Sequence, residues 1–352
     1  MSTADKQPRR RSTRGHATSK DVAALAGVAQ STVSYALTGS RPVSKEARAR
    51  IEAAMKQLNY HPNSSARTLR TSRTQLIGLI EQIDVDSDGV GIPPYLSTIV
   101  SEARKHDYDV ILNTMQEGPD TLRRLAGRAV CDGFIIMDIK HADPRIPVAQ
   151  AIGMPTVLFG MPDDACGLDY TYFDYAAAAE AIVDAMADAG HHHVVLVGET
   201  PQSGFGKFRI YEEYVSRARE RAAKRGMRFK VVNPPTGGVA GVERVASALL
   251  SDCDDRLALI TRGPLATDWM SRLLEKNGIL PGKDVSLVGV VDDHTATSAK
   301  ITLTNVSPRP QAVSRLAVEM LLARIDDPSI EQQVKPVYPQ AISFRDSSVD
   351  WE

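Results

Sequence analysis

The chain has 352 residues, with 42 Lys+Arg against 43 Asp+Glu, and its near-neutral total conceals an asymmetry: residues 1–73 hold 14 basic and 4 acidic side chains, a net of +10, while the remainder carries −11. No run of about 18 apolar residues is present, which argues against a transmembrane helix, and no apolar segment follows the first arginines, which argues against a secretory signal. The three cysteines, Cys131, Cys166 and Cys253, match neither a metal-ligand spacing nor a disulfide framework, so a reducing, cytoplasmic setting is expected, and a basic head on an acidic body is the charge pattern of a nucleic-acid-binding segment joined to a soluble domain.

Residues 1–16 carry Arg9, Arg10, Arg11 and Arg14 in a Pro/Ser/Thr-rich setting without apolar periodicity. They read as a disordered basic tail that adds phosphate contacts. From Thr18 the pattern changes. Thr18 is placed to cap a helix, with Asp21 three residues on completing a capping-box pattern. Val22, Leu25 and Ala26 are spaced for one buried face, and Gly27 supplies the left-handed position that ends the helix. A second helix over about Gln30–Leu37 buries Val33 and Leu37 and presents Gln30, Ser31, Thr32, Ser34 and Tyr35, all able to hydrogen-bond. Two short helices around a tight turn form a helix-turn-helix, and small polar residues at the start of the second suit a major groove. A third helix from Ser44 to about Leu58 places Ile51, Met55 and Leu58 to close a core over Leu25 and Val33.

Asn59-Tyr60-His61-Pro62 ends that helix, because the residue before proline avoids helical backbone. Asn63 then caps Ser64–Arg70, a basic segment too short to be a stable helix alone. Two readings stay open for it: a hinge helix that forms on its target, or an ordinary linker. Beyond it, apolar runs of 5 to 8 residues alternate with amphipathic helices such as Ala176–Ala189 and Asp268–Asn277, which argues for a parallel α/β body.

Several motifs in order, Asp21-Val-Ala-x-x-Ala-Gly-Val28, Ser31-Thr-Val-Ser34, Val43-Ser44, Leu58-Asn-Tyr-x-Pro-Asn63 and Ala66-Arg-x-Leu69, resemble the lactose-repressor (LacI/GalR) family of bacterial transcription regulators. The body resembles the family more loosely, through Thr74–Ile80, Cys131–Ile136, Gly190–Gly198, Asp284–Gly289 and Leu303–Val306. The resemblance implies an all-α helix-turn-helix head over 17–62 and a hinge helix over 63–73. It further implies a two-lobed, doubly wound parallel α/β domain over 74–346 that binds effector and dimerises, with 347–352 as a tail.

By the same resemblance, Gln30, Ser31 and Tyr35 stand at base-reading positions. Gln30 is suited to adenine, and Tyr35 replaces the arginine most relatives carry, so the operator should depart from the family's common half-site. Thr32, Ser34 and Tyr60 match phosphate-contacting positions. Leu69 matches a leucine wedge that kinks the minor groove, Ala66 is small enough for two hinge helices to meet, and Thr18, Ser19, Thr38 and Asn63 complete the DNA-facing set. The implied partners are a double-stranded operator, a second copy of the chain and a small-molecule effector coupled to DNA binding; no membrane and no cofactor are expected.

The effector site departs from the family. Gly263-Pro264 stands where an Asn-Asp pair is common, Val290-Val291-Asp292 where an aromatic residue precedes two aspartates, and Glu212-Glu213 where Gly-Phe would follow Arg209. The cleft candidates that remain are Asp174, Arg209, Arg262, Trp269 and Asp292, a set that suggests a less hydroxylated effector than a sugar, or none. His191-His192-His193 cannot converge on one metal if they lie on a strand. Gly198–Lys207 lacks the spacing of a phosphate loop, and no hydrolase motif or paired-carboxylate arrangement stands out. The chain therefore reads as a sequence-specific DNA-binding transcriptional regulator, a repressor, rather than an enzyme. The alternatives are a solute-binding module and a DNA-bending architectural protein without effector response.

Overall fold

Thr18 and Asp21 lock the start of the first helix together. The Thr18 hydroxyl accepts from the Asp21 N–H at 3.4 Å, while the Asp21 carboxylate accepts from the Thr18 N–H at 2.8 Å and hydroxyl at 2.7 Å. Helix α1 (Ser19–Ala26) then ends at Gly27, whose φ of 64° is left-handed. Helix α2 (Gln30–Thr38) follows, and α3 (Lys45–Gln57) is capped by Ser44. Val22, Ala23, Ala26, Val33, Ile51 and Ala54 form the shared core, with Leu37, Met55, Leu58 and Tyr60 packed around it. Leu25 is not in it: 45% of its surface is exposed. At about 100° per residue the face centred between Val22, Ala26 and Ala23 points inward, and Leu25 lies on the far side of it. Alanines on that inner face let α1 approach α3 closely.

This computed structural model describes residues 17–38, 41–60, 73–83, 90–114, 118–251, 253 and 255–351. The expected tail over 1–16 and the expected hinge residues Asn63, Ala66 and Leu69 lie outside them. The chain divides into two compact units, Met1–Thr74 and Gln75–Glu352.

The second unit holds two parallel sheets. The first has strand order β2 (Asp109–Asn113), β1 (Leu76–Ile80), β3 (Gly133–Ile136), β4 (Thr156–Phe159), β5 (Asp169–Phe173), β11 (Val334–Val337). The second runs β7 (Arg228–Val232), β6 (His193–Val197), β8 (Leu257–Arg262), β9 (Ser286–Val290), β10 (Thr304–Asn305). Every strand pair among the described residues is parallel. Central strands such as Val194–Val197 and Leu257–Ile260 are buried throughout, as both-face burial of a parallel sheet requires.

The chain crosses between these lobes three times. It leaves the first after β5 through helix α4 (Tyr175–Asp188). It returns after β10 through helix α5 (Pro310–Asp326), which packs on β3, β4, β5 and the helix Pro93–Lys105. After β11 it crosses again, where Ser343 pairs with Asn305 and the Leu287 N–H donates to Ser347 O at 2.8 Å. Gly133 admits α5 to the sheet: a Cβ there would stand 2.8 Å from both Pro155 O and Leu321 Cδ1.

Two local readings shift. The helix expected from Asp268 begins four residues earlier, as Pro264–Lys276, because Gly263 turns at φ 78° and proline is well placed in a first turn. His191 and His193 are buried while His192 is exposed. The His191 ring lies 2.8 Å from both Arg256 O and Ser286 Oγ, and burial lowers its pKa and keeps it neutral. Among the described residues no helix is long and apolar enough to cross a membrane.

Candidate nucleic-acid interface and ligand cleft

On α2, Val33 is fully buried while Gln30, Ser31 and Ser34 are exposed and Thr32 and Tyr35 are half-buried. One side of the helix therefore anchors in the core and the other offers amide and hydroxyl groups to a groove. Gln30 Nε2 donates to Ser19 Oγ at 2.9 Å. The Arg41 guanidinium lies 5.2 Å from the Tyr35 ring centroid, close enough for a cation–π contact. Thr18 spends its hydroxyl on the cap. Tyr60 packs its side chain against the helical core, and its N–H donates to Met55 O at 2.9 Å. Thr38 ends α2.

In the second unit, each sheet reverses its strand order beside its first strand, between β1 and β3 and between β6 and β8. Ligands of open α/β sheets settle outside the carboxyl ends of strands at such points. The residues that follow those ends are Glu81, Asp138 and Glu199, with Arg262 closing β8 and Asp292 two residues beyond β9. Two adjoining cavities lie there, an inner chamber of about 170 Å³ and an outer one of about 400 Å³, sharing Ile92, Asp138, Phe205, Phe208 and Arg262. Tyr95, Phe159, Tyr172, Phe173 and Tyr175 complete the aromatic lining of the inner chamber. Trp269, Lys140 and the loop Gly198–Gly204 line the outer one.

The polar groups are wired across the lobes. Arg262 Nε donates to Glu199 Oε1 at 2.7 Å, the Ser203 hydroxyl donates to Glu199 Oε2 at 2.6 Å, and the Arg262 guanidinium sits 3.6 Å from the Phe205 ring centroid. Burial pushes the Glu199 carboxyl up, but attraction to Arg262 and the hydrogen bonds from Arg262 and Ser203 outweigh it and hold it below the usual carboxylate range. Tyr175 is hydrogen-bonded to both Tyr95 and Arg262, and burial raises the pKa of both phenols. This thread runs from a helix of the first lobe to a strand of the second.

Opposite it, Glu81 is 2% exposed and hydrogen-bonded to Asp138. Burial, then the neighbouring Asp138 charge, drives the Glu81 carboxyl well above the ordinary range, against a smaller pull from Arg145. Asp138 itself stands at a left-handed φ of 54°, a strained position of the kind that clusters at functional sites.

Of the residues singled out in the sequence, Arg262 lines both chambers, Asp292 the inner one and Trp269 the outer one. Asp292 also caps the helix Asp293–Ser298, accepting from the Thr295 N–H at 3.1 Å. Asp174 and Arg209 line neither cavity. Asp174 caps α4, accepting from the Ala177 N–H at 2.9 Å, because it stands one residue before that helix begins. Arg209, at the start of the helix Arg209–Lys224, donates to Pro162 O at 3.1 Å. The Glu81–Asp138 pair is one that did not stand out in the sequence. They are far apart in the chain, and only the neighbouring placement of β1 and β3 joins them. The available signal was an acidic residue just past a buried apolar strand, Glu81 immediately after β1 and Asp138 two residues after β3.

Residues 18–63 match the family described as bacterial regulatory proteins, lacI family, and residues 183–348 match the periplasmic binding protein-like domain. The chain is 32% identical over 201 residues to the HTH-type transcriptional regulator MalR of Staphylococcus xylosus, covering 55% of this chain and 59% of that relative, so it spans little over half of MalR's length. It is 26% identical over 323 residues to the HTH-type transcriptional regulator CelR of Thermobifida fusca, covering 88% and 92%. The fold matches that of the Lac repressor dimer bound to operator and the anti-inducer ONPF, with a TM-score of 0.75 at 19% identity over 95% of this chain and 100% of that one.

Proposed function

Because the chain belongs to the lacI family of bacterial regulatory proteins, we propose that it is a sequence-specific transcriptional repressor that binds a pseudopalindromic operator as a homodimer and changes its DNA affinity when a small molecule fills the cleft between its lobes. The observation that carries this reading is α2, anchored by Val33 and presenting Gln30, Ser31 and Ser34 within a head of net charge +10. Base contacts from α2 supply sequence preference, and the basic residues supply salt-dependent affinity. Thr18, Ser19, Thr32, Thr38 and Tyr60 flank that face, and Asn63, Ala66 and Leu69 follow it as the hinge.

Dimerisation is supported by the dimeric Lac repressor of like fold and by exposed apolar side chains on the first lobe, Val100 on the helix Pro93–Lys105 and Leu112 on the edge strand β2. Two heads then meet two half-sites about one helical turn apart. The cleft supplies the second site that allostery requires: its lobes are joined by three crossings, so a ligand bridging Arg262 and Asp292 to the first lobe changes their angle, with a coupling of roughly 1–3 kcal/mol. The aromatic inner chamber and the Gly263-Pro264 lining support an effector with fewer hydroxyls than a sugar.

Selection of bound sequences from random duplex DNA at near-physiological salt tests this reading. Enrichment of a two-fold pseudopalindrome with a central pyrimidine–purine step supports it and supplies a probe for effector release. Salt-sensitive binding without enrichment, with or without candidate effectors, identifies an architectural protein instead.

A further inference from the structure

The inner chamber combines aromatic walls with an excess of negative charge at one end. Glu81 Oε2 is buried and has no hydrogen-bond partner among the described residues, although Glu81 lines the chamber. Its other partner, Asp138, is also a carboxyl. The nearby cation Arg145 bonds Asp143 through Nε and Nη2, at 3.0 and 2.7 Å, and Nη2 also donates to Met137 O and Asp138 O; its Nη1 is buried and, like Glu81 Oε2, has no hydrogen-bond partner among the described residues, so the two do not satisfy each other. Across the chamber Arg262 is paired with Glu199, and Asp292 adds another carboxylate. Lys140, at the outer edge, donates to Gln82 Oε1. Arg145 is thus ion-paired with Asp143 and Arg262 with Glu199, while Glu81, Asp138 and Asp292 line the inner chamber and Lys140 and Lys207 the adjoining one. Even with one proton held between Glu81 and Asp138, the site carries an acceptor with nothing to accept from.

A buried acceptor left without a donor is destabilising, and a ligand donor that fills it recovers that cost. The rings around it favour a cation over a neutral donor, since their faces attract positive charge and their edges bury apolar surface. Resting on the reading of the cleft as the effector site, we propose that Glu81 and Asp138 receive the ammonium group of an amine effector whose apolar body fills the aromatic chamber.

The test uses the full chain without DNA and three probes: benzylamine, its neutral counterpart benzyl alcohol, and cellobiose. Binding is followed by calorimetric titration and by thermal shift at millimolar concentration. Benzylamine is expected to bind and to raise the melting temperature, with benzyl alcohol and cellobiose weaker by about tenfold or more. Glu81→Gln, which keeps the side chain's shape, is expected to lose that preference, and Asp138→Asn to reduce it. No binding of benzylamine, equal binding of amine and alcohol, or an unchanged preference in Glu81→Gln would each overturn the inference. The operator selection on the same preparation separates the two readings. An enriched operator without amine binding overturns the ligand class alone, and amine binding without an operator overturns the regulator reading alone.

Discussion

The side chain best suited to reading a base, Gln30, is held on the first helix by a 2.9 Å hydrogen bond from its Nε2 to Ser19 Oγ. Both residues lie at the surface, so the bond contributes only about 1 kcal/mol net. That is enough to orient the amide and small enough for DNA to displace. Gln30→Ala is expected to weaken binding to the selected operator by about 1–3 kcal/mol. It should leave affinity for scrambled duplex, and the slope of affinity with salt, unchanged, because no phosphate contact is lost. Titration of both duplexes at two salt concentrations checks this, and equal losses on both would remove Gln30 from base reading.

Gly27 joins the two helices at φ 64°, and a Cβ there would meet only Arg50 Nη1 at 3.7 Å, an ordinary contact. Space is available, so the cost of a side chain is conformational. Gly27→Ala is expected to destabilise the helical unit by about 1–2 kcal/mol, the penalty for a left-handed L-residue. Thermal melts followed by circular dichroism would show it. A cost near zero would mean that the turn relaxes out of the left-handed region.

What the sequence made legible follows the range of the interactions involved. The head is built from contacts within one or two helical turns, and the Thr18 cap, the Gly27 turn and the Ser44 cap all stand where their residue types place them. Leu25 misleads because its spacing fits the inward face as well as Ala23 does, and only the packing of α3 decides between them. In the body, continuous apolar runs announce buried strands, but not their order. Arg262, Trp269 and Asp292, cleft candidates by the family resemblance, do line the cavities. Glu81 and Asp138 were not legible, since their meeting depends on β1 lying beside β3. Asp174 and Arg209 were legible as polar residues near the cleft, yet one is consumed by a cap and the other by Pro162 O.

The Arg262–Glu199 pair is mostly buried, with side-chain exposures of 19% and 15%. Removing one partner of such a pair strands a charge, which costs about 3–5 kcal/mol when burial is complete and less here. Arg262→Ala is therefore expected to cost about 2–3 kcal/mol at neutral pH and also to free Tyr175 from its bond to Arg262. The depressed Glu199 pKa contributes stability that is present above the unfolded value and lost as pH falls through the folded one. Arg262→Ala should then flatten the acid-side loss of stability. Urea melts at several pH values would test this, and an unaltered acid limb would show that the pair does not set it.

Glu81 carries the opposite sign. Burial first, and Asp138 second, raise its carboxyl well above the ordinary range. A carboxyl with a raised folded pKa contributes stability that is fully present below the unfolded value and is lost as pH rises toward the folded one. At neutral pH the unliganded chain thus bears a penalty for this buried acid pair, and the Glu81 Oε2 without a partner adds to it. Glu81→Gln removes the titrating proton while keeping the hydrogen-bonding shape. It is expected to raise the melting temperature at about pH 7–8 and to change it little at about pH 4, where the wild-type carboxyl is already neutral. Thermal melts of the two proteins across that range give the comparison directly. A gain that is the same at every pH would mean that the substitution acts through packing, and that the Glu81–Asp138 pair stores no strain for a ligand to relieve.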